Sequence, residues 1–197
     1  MKRIFCILFS LLIFATATVV AQEVEDVLGV SKLKFNGTKY QLGWSAHNSL
    51  QYMQEYFPKG QVPESYTDMF TISVTLAPNM IAKTACEAKV AELAQRKETQ
   101  KDVWNWAVSH NEDGSEWIVD FICCQGNAEK LDIVEFDVHR YRMIDVDGFP
   151  ALQLLFYSHR VYGDDIMPFM KEKLADLRVE SVAALIKFDV DCQIKTK

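Results

Sequence analysis

Apolar and polar positions form separate periodic segments along this chain, and the first segments have the composition of strands. Ser31–Phe35 and Thr38–Gly43 flank Asn36-Gly37, a dipeptide that tolerates the positive φ angles of a type I′ turn. Ser49–Phe57 and Met69–Leu76 are rich in aromatic and β-branched residues, which favour strands. We therefore expect the domain to open with a hairpin and two further strands.

Two later hairpins are predicted together with their registers. A turn at Asp113-Gly114 pairs, on one face, His110 with Trp117, Val108 with Val119, Trp106 with Phe121 and Trp104 with Cys123. Because three tryptophans share this face, we expect it to be core. A turn at Asp147-Gly148 joins Leu131–Asp145 to Pro150–Tyr162. On one face it pairs Glu135 with Arg160, Asp137 with Ser158 and His139 with Phe156, and both of its faces are partly apolar, as in a sheet covered on two sides.

Two segments have helical periodicity. Asn79 is expected to cap a helix that runs to about Lys97, with one apolar stripe formed by Ala82, Cys86, Val90 and Leu93. Asp164 caps a second predicted helix that tolerates Pro168 in its first turn and runs to about Phe188. Its inner stripe is Ile166, Met170, Leu174, Leu177, Ser181 and Leu185. The chain is therefore predicted to be an α+β domain, with a largely antiparallel sheet of about six or seven strands and two long amphipathic helices packed on it.

The order of these elements, with Glu64-Ser65-Tyr66-Thr67-Asp68-Met69-Phe70-Thr71-Ile72 entering a strand, resembles small exported bacterial proteins of unknown function with a PsbP-like fold. The resemblance covers most of the chain by element order and one short segment by residue pattern. It implies an antiparallel sheet flanked by helices, in a family whose members mostly act as accessory or binding proteins. It implies no catalytic residue.

The amino-terminal segment has the three parts of a secretory signal peptide. Met1-Lys2-Arg3 is basic, Ile4–Phe14 is mostly apolar and Val19-Val20-Ala21 is small, so we expect residues 1–21 to be cleaved after Ala21. The apolar run is too short for a transmembrane anchor. Residues 22–197 suit a single domain. We therefore expect a periplasmic or secreted protein.

The net charge bears on the class of partner, and the cysteine content bears on disulfide formation in the compartment. Loss of Lys2 and Arg3 leaves 19 basic against 27 acidic side chains, a formal charge of −8. This excess repels phosphate backbones, so nucleic acid is not an expected partner. Four cysteines then remain, and an oxidising compartment favours disulfides. Cys123 and Cys124 are neighbours that pair poorly with each other, which favours bridges to them from Cys86 and Cys192. A redox or metal role is the alternative, but the chain has no Cys-x-x-Cys spacing.

Two constellations on the third hairpin bear on chemistry. Asp137, Ser158 and His139 lie close together in the predicted register, and these are the residue types of a hydrolase triad. Ser158 is mid-strand, without a sharp turn or free backbone amides for an oxyanion hole. Glu135, Asp137 and His139 have the i, i+2, i+4 spacing of metal ligands, but Arg160 opposite Glu135 favours an ion pair on a solvated face. We predict neither a metal nor a cofactor.

Aromatic residues in and beside the longest irregular region are the preferred binding candidates: Trp44, Tyr52, Tyr56 and Tyr66. The leading hypothesis is an exported, non-enzymatic binding or accessory protein of the cell envelope, with an unknown protein or small-molecule ligand. The alternatives are a weak hydrolase using Ser158, His139 and Asp137, or a self-associating structural envelope component. The sequence leaves the oligomeric state open.

Overall fold

The computed structural model describes residues 24–127 and 130–195. The predicted signal peptide, residues 1–21, lies outside the described residues. Within the described ranges, no helix combines the length and the apolarity that a bilayer crossing requires.

Eight strands form one antiparallel sheet. Their bounds are β1 Lys32–Phe35, β2 Thr38–His47, β3 Gln51–Pro58, β4 Asp68–Leu76, β5 Val103–His110, β6 Glu116–Gly126, β7 Leu131–Val146 and β8 Phe149–Tyr162. The order across the sheet is β1-β2-β3-β4-β8-β7-β6-β5. Two four-stranded meanders therefore meet at β4 and β8, and the chain crosses from the middle of the sheet to its far edge between β4 and β5.

Three α-helices accompany the sheet: α1 Ala82–Thr99, α2 Ile166–Glu172 and α3 Leu174–Lys187, with a 3-10 turn at Gly163–Asp165 before α2. Helix α1 makes the crossing between the two meanders and contacts β5, β6 and β7. Its amino-terminal cap is Ile81, which forms no side-chain cap, so the prediction that Asn79 caps this helix was wrong. Helices α2 and α3 contact β7 and β8.

The predicted fold class was wrong in both strand number and helix layout. The expected six or seven strands are eight in one sheet, because both arms of the amino-terminal hairpin join it. The expected second long helix is divided at Lys173, where φ is −120° and ψ is −29°. The break lets two short helices follow the twisted sheet. Periodicity could not reveal it, because the apolar stripe continues in the same phase from Ile166 to Leu185.

The predicted hairpin registers are confirmed at almost every pair. Asn36 and Gly37, and likewise Asp147 and Gly148, have the positive φ angles of the predicted turns. In the third hairpin Glu135 lies opposite Arg160, Asp137 opposite Ser158 and His139 opposite Phe156. The second hairpin pairs Trp106 with Phe121 as predicted.

One pair of the second hairpin was wrong. A bulge between Val103 and Asn105 places Val103, not Trp104, opposite Cys123. Trp104 therefore packs near Cys124 and Ile166, away from the cluster that holds Trp106 and Trp117. A bulge inserts one extra residue and so changes the face on which a side chain lies.

Both faces of the sheet are covered. One, which we call the α3 face, carries the largest apolar cluster, where Phe35, Phe70, Tyr157 and Phe188 are in ring contact. The other, the α1 face, carries a second cluster that includes Cys86 and Leu93 of α1. The third hairpin is covered on both faces, as its partly apolar faces predict, but the interpretation of its polar residues as a solvated face was wrong, because these side chains lie buried on the α1 face.

The predicted disulfides are absent, and no disulfide joins the four cysteines. Cys124 lies opposite Val134, whereas Cys192 contacts Gln153, whose partner on β7 is Arg142. Those two positions on β7 are eight residues apart, about 26 Å along a strand, and a disulfide needs Cα atoms within about 7 Å. Cys123 is on the opposite face from Cys192, so the sheet itself separates them.

Cys86 and Cys123 lie on the same face of the sheet but far apart along it. Cys86 lies near Tyr141, and Cys123 lies opposite Glu135. These β7 positions are six residues apart, about 20 Å along the strand. Burial raises the pKa of the Cys86 thiol to about 11, so it stays protonated and unreactive at neutral pH.

Arg140 ties α3 to the sheet on the α3 face. Its guanidinium donates to the backbone carbonyls of Leu185 at 2.9 Å and Phe188 at 2.6 Å, where α3 ends. It also makes a two-pronged pair with Glu116, with distances of 2.9 and 2.7 Å. Because Arg140 is only 4% exposed, these contacts satisfy a cation that would otherwise be buried alone.

Arg140→Met should destabilise the protein by about 3–5 kcal/mol, because it leaves Glu116 and two helix-end carbonyls without their donor. Urea unfolding monitored by circular dichroism measures the change. Lys195→Met is the control, since Lys195 forms an exposed pair with Asp26 at 3.3 Å and should cost less than about 1 kcal/mol. Equal losses in the two variants would contradict the anchoring role of Arg140.

Candidate functional site

A pocket of about 70 Å³ lies on the α1 face, between the sheet and α1. Strands β3, β4, β7 and β8 form its floor, α1 contributes Lys89 and Arg96, and the segment between β3 and β4 contributes Pro63 and Tyr66. We call it the α1-face pocket. Its volume exceeds the space that one water molecule needs.

The floor is polar because two cross-strand rows meet there. One row runs from Glu55 on β3 through Thr71 and Phe156 to His139 on β7. In the neighbouring row, Met69 lies opposite Ser158 and Ser158 lies opposite Asp137. Residues that face each other across antiparallel strands point to the same side. The register therefore brings five polar side chains under one helix: Glu55, Thr71, Asp137, His139 and Ser158.

Four of these side chains have a buried polar atom without a hydrogen-bond partner. The atoms are Thr71 Oγ1, Asp137 Oδ1, His139 Nε2 and Ser158 Oγ. None of the four residues is more than 5% exposed. A buried polar atom left without a partner costs about 1–3 kcal/mol. Such groups are rare in folded proteins, and a cluster of four indicates a place for polar atoms from outside the chain.

Burial favours the neutral forms of the two central ionisable groups. Burial, reinforced by the charge of Glu135, raises the pKa of Asp137 well above its ordinary value. The Ser158 hydroxyl lies near enough to oppose this rise, although not in hydrogen-bond geometry. Burial, reinforced by Lys89, lowers the pKa of His139 well below its ordinary value. Both shifts favour the neutral form, which is the carboxylic acid for Asp137 and the unprotonated imidazole for His139.

A third ionisable group, Glu55, titrates near neutrality. Burial raises its pKa to about 7, with Arg160 opposing the rise and Glu135 adding to it. The side chain is 7% exposed and faces the pocket. Small changes in its surroundings therefore change its charge.

The cations of the pocket are engaged with carboxylates. Arg160 pairs with Glu135, which also accepts a hydrogen bond from Tyr66 at 3.0 Å, and the guanidinium lies 4.1 Å from the centre of the Tyr66 ring. The two cations of α1 have their own partners: Lys89 pairs with Glu92 at 3.3 Å and Arg96 with Asp102 at 2.7 Å.

The binding candidates proposed from the sequence do not gather in one place. Tyr66 lines the α1-face pocket. Trp44 is half-buried on β2, opposite Glu55, beside the pocket but outside its lining. Tyr52 and Tyr56 are buried on the α3 face within the larger apolar cluster.

Of the triad candidates, Asp137 and His139 line the pocket, whereas Ser158 lies opposite Asp137 outside the lining, and no hydrogen bond links the three side chains. His139 Nδ1 pairs with the hydroxyl of Tyr141 at 3.0 Å, while its Nε2 has no partner. The Ser158 hydroxyl likewise has none. A nucleophile and its base need to be within hydrogen-bond reach. In the described part of the chain, no three histidine, cysteine or acidic side chains are placed to hold a metal ion.

Sequence reasoning missed Glu55, Thr71, Lys89 and Arg96. The signal for the two cations was available, because residues 82, 86, 89, 93 and 96 of α1 are spaced by four and three and are all buried. The predicted stripe consisted of Ala82, Cys86, Val90 and Leu93 and did not include Lys89 or Arg96. Their position on the buried stripe indicates a polar pocket under α1.

A model of an uncharacterised protein family matches residues 28–190. The chain belongs to this family. The matched range includes all eight strands and the pocket floor. No curated protein matches the chain.

Glu55→Gln should remove a pH-dependent loss of stability. Glu55 is protonated in both states below pH 4.5, its ordinary pKa, and between there and about pH 7 only the unfolded state ionises it. Stability contributed by the neutral side chain is therefore lost as pH rises to about 7, by up to about 3 kcal/mol. Gln mimics the neutral form at every pH.

Urea unfolding of both proteins at pH 5 and pH 8 measures this effect. We expect the advantage of Glu55→Gln over the unaltered protein to be greater at pH 8. Glu98→Gln, on the exposed side of α1, is the control and should show no such trend. An advantage independent of pH would show that the carboxyl of Glu55 titrates normally in the folded protein.

Proposed function

We propose that this protein is an exported, non-enzymatic binding protein that holds a small molecule in the α1-face pocket. The observation that carries the proposal is the group of four unpartnered polar atoms on buried residues. A packed core would leave no such group, because each member destabilises the fold. Three of the four residues, Thr71, Asp137 and His139, line the pocket, and a bound molecule with its own donors and acceptors would satisfy them.

The rest of the lining supports a small organic ligand. Small-molecule sites are mostly apolar, with a few polar groups that fix orientation. The apolar side chains of this pocket are Met53, Met69, Phe121, Leu154 and Phe156, together with Pro63 and the ring of Tyr66. Three of them are aromatic, and aromatic walls contribute much contact area.

Export is part of the proposal and rests on the sequence pattern of residues 1–21. The resemblance to exported proteins with a PsbP-like fold, mostly accessory or binding proteins, points the same way. We therefore propose that binding takes place in the periplasm or outside the cell, and that the chain serves as an accessory component there.

A weak hydrolase is the second candidate. It is favoured by one observation, the position of Ser158 opposite Asp137 with His139 two residues further along β7. A ligand could draw these side chains into contact, since catalytic hydrogen bonds are often loose in an empty site. Turnover of small esters that Ser158→Ala abolishes would favour this candidate over simple binding.

Nuclear magnetic resonance of the histidine rings tests the binding proposal. We expect small amines, alcohols and carboxylates that bind the protein to shift the ring nitrogens of His139, because His139 lines the pocket and its Nε2 has no hydrogen-bond partner. His110 is exposed on β5 and serves as the internal control. Binding that shifts His110 and leaves His139 unchanged would place the ligand elsewhere and refute the proposal.

Thr71→Val gives the same proposal a second test. The change removes an unpartnered hydroxyl at nearly constant shape, so it should stabilise the fold by about 1–2 kcal/mol. The change should also weaken the binding of any ligand that the histidine experiment detects. Thr84→Val, on the exposed side of α1, should change neither quantity. A variant that binds as tightly as the unaltered chain would exclude Thr71 from the site.

A further inference from the structure

We propose that the ligand of the α1-face pocket is a small organic cation, an aliphatic amine in its protonated form, with Asp137 as its counter-ion. This inference rests on the proposed function and adds the chemical class of the ligand. It is argued from the pairing of the charged groups, from the position of the unpartnered oxygen of Asp137, and from the character of the pocket walls.

The first step is that the pocket's cations are already paired. Arg160 is bound by Glu135, and that carboxylate is held from a second side by the hydroxyl of Tyr66. The Lys89 ammonium lies 3.3 Å from each carboxylate oxygen of Glu92. It also lies 4.9 Å from the centre of the Phe121 ring. A ligand carboxylate or phosphate would have to replace one of these carboxylates.

Arg96 completes this set. It pairs with Asp102 at 2.7 Å and approaches Glu92 at 3.8 Å, and it is only 3% exposed. Its charge is therefore compensated within the protein. An anionic ligand would find the three cations, Arg160, Lys89 and Arg96, already paired with carboxylates of the protein. It would also be repelled by the acidic groups of the floor.

The second step is that two carboxyls have no cation of their own. Asp137 lines the pocket and has a buried oxygen without a partner, and Glu55 lines the opposite side of the floor, on β3. No salt bridge joins either residue to a cation within the described chain. An ammonium group beside Asp137 would supply both the hydrogen-bond donor that its oxygen lacks and the missing positive charge.

The third step concerns the surroundings of that ammonium group. The rings of Phe121 and Phe156 line the pocket next to the floor, and aromatic faces attract cations. The hydroxyl of Thr71, which lines the pocket, offers lone pairs to the remaining N–H groups. Met69 and Leu154 provide apolar contact for a short alkyl chain.

Proton movement accompanies binding. Burial and the charge of Glu135 raise the pKa of Asp137 well above its ordinary value, against the opposing effects of Ser158, Lys89 and Arg160, and so favour its protonated form. A bound ammonium ion favours the carboxylate, so the acid releases its proton to the solvent as the cation enters. No bond to carbon is made or broken. The measured heat of binding should therefore depend on the ionisation enthalpy of the buffer.

Three probes of nearly equal size test the inference: propylammonium chloride, 1-propanol and sodium propionate. Isothermal titration calorimetry of residues 22–197 at pH 7 should show propylammonium binding at least about tenfold more tightly than either other probe. Titration in phosphate and in MOPS, buffers that carry no net positive charge and differ in ionisation enthalpy, should reveal proton release with propylammonium alone. The ring nitrogens of His139 report in parallel whether each probe occupies the pocket.

Asp137→Asn should abolish the preference for propylammonium and the release of the proton. Asn has the shape of the neutral acid, so this variant should fold, as circular dichroism would verify. Asp132→Asn, exposed at the start of β7, is the matched control and should keep both properties. Glu55→Gln should weaken the binding of propylammonium without removing its preference over 1-propanol and propionate. This second variant keeps the inference testable should Asp137→Asn fail to fold.

The outcomes separate this inference from the proposed function. If 1-propanol or propionate shifts His139 and binds as tightly as propylammonium, the pocket is a ligand site but its ligand is not a cation. If propylammonium fails to bind while other small molecules shift His139, the inference is again wrong and the proposed function stands. If no molecule tested shifts His139, both are wrong.

Discussion

The two longest strands, β7 and β8, are covered on both faces, and the rest of the structure depends on this double burial. Alternate side chains of a strand point to opposite sides, so covering both sides removes polar as well as apolar residues from water. On the α3 face these polar residues are satisfied, as Arg140 is by Glu116 and the end of α3. On the α1 face Asp137 and Ser158, of the same two strands, keep unpartnered atoms. One face of the hairpin serves stability, and the other is available for function.

The crossing helix α1 explains why the polar floor is closed over. Because β4 is in the middle of the sheet and β5 at its edge, the connection between them must pass over β8, β7 and β6. The helix brings Lys89 and Arg96 to the buried side, and it brings Glu92 with them, so much of its charge is neutralised within its own turns. Helix α1 therefore adds little net positive charge above the floor, and the carboxyls of the floor remain without a paired cation. Topology, rather than any single contact, creates the electrostatic character of the pocket.

Local chemistry allowed the sequence to predict the strand pairing but not the layers. Asp-Gly and Asn-Gly turns fix the registers, and the pairs of the third hairpin, Asp137 with Ser158 among them, follow by counting. What covers each face depends on contacts between distant parts of the chain, which periodicity does not contain. The polar face of the third hairpin was therefore read as solvated, although Tyr66, 69 residues away from Glu135, closes it. The break at Lys173 and the bulge beside Trp104 are single-residue events within continuous patterns, and no periodic signal marks them.

The energetic cost of the floor is the strongest reason to regard it as a site. Each unpartnered buried group costs about 1–3 kcal/mol, and a domain of this kind is stable by only about 5–15 kcal/mol in total. Four such groups therefore represent a large share of the available stability. Apolar residues of similar size would remove that cost, as valine would at Thr71. Proteins break the rules of core packing mainly where function requires it. The carboxyls of Asp137 and Glu55, which no cation of the described chain pairs with, are best explained by a ligand. Such a ligand would carry the complementary positive charge.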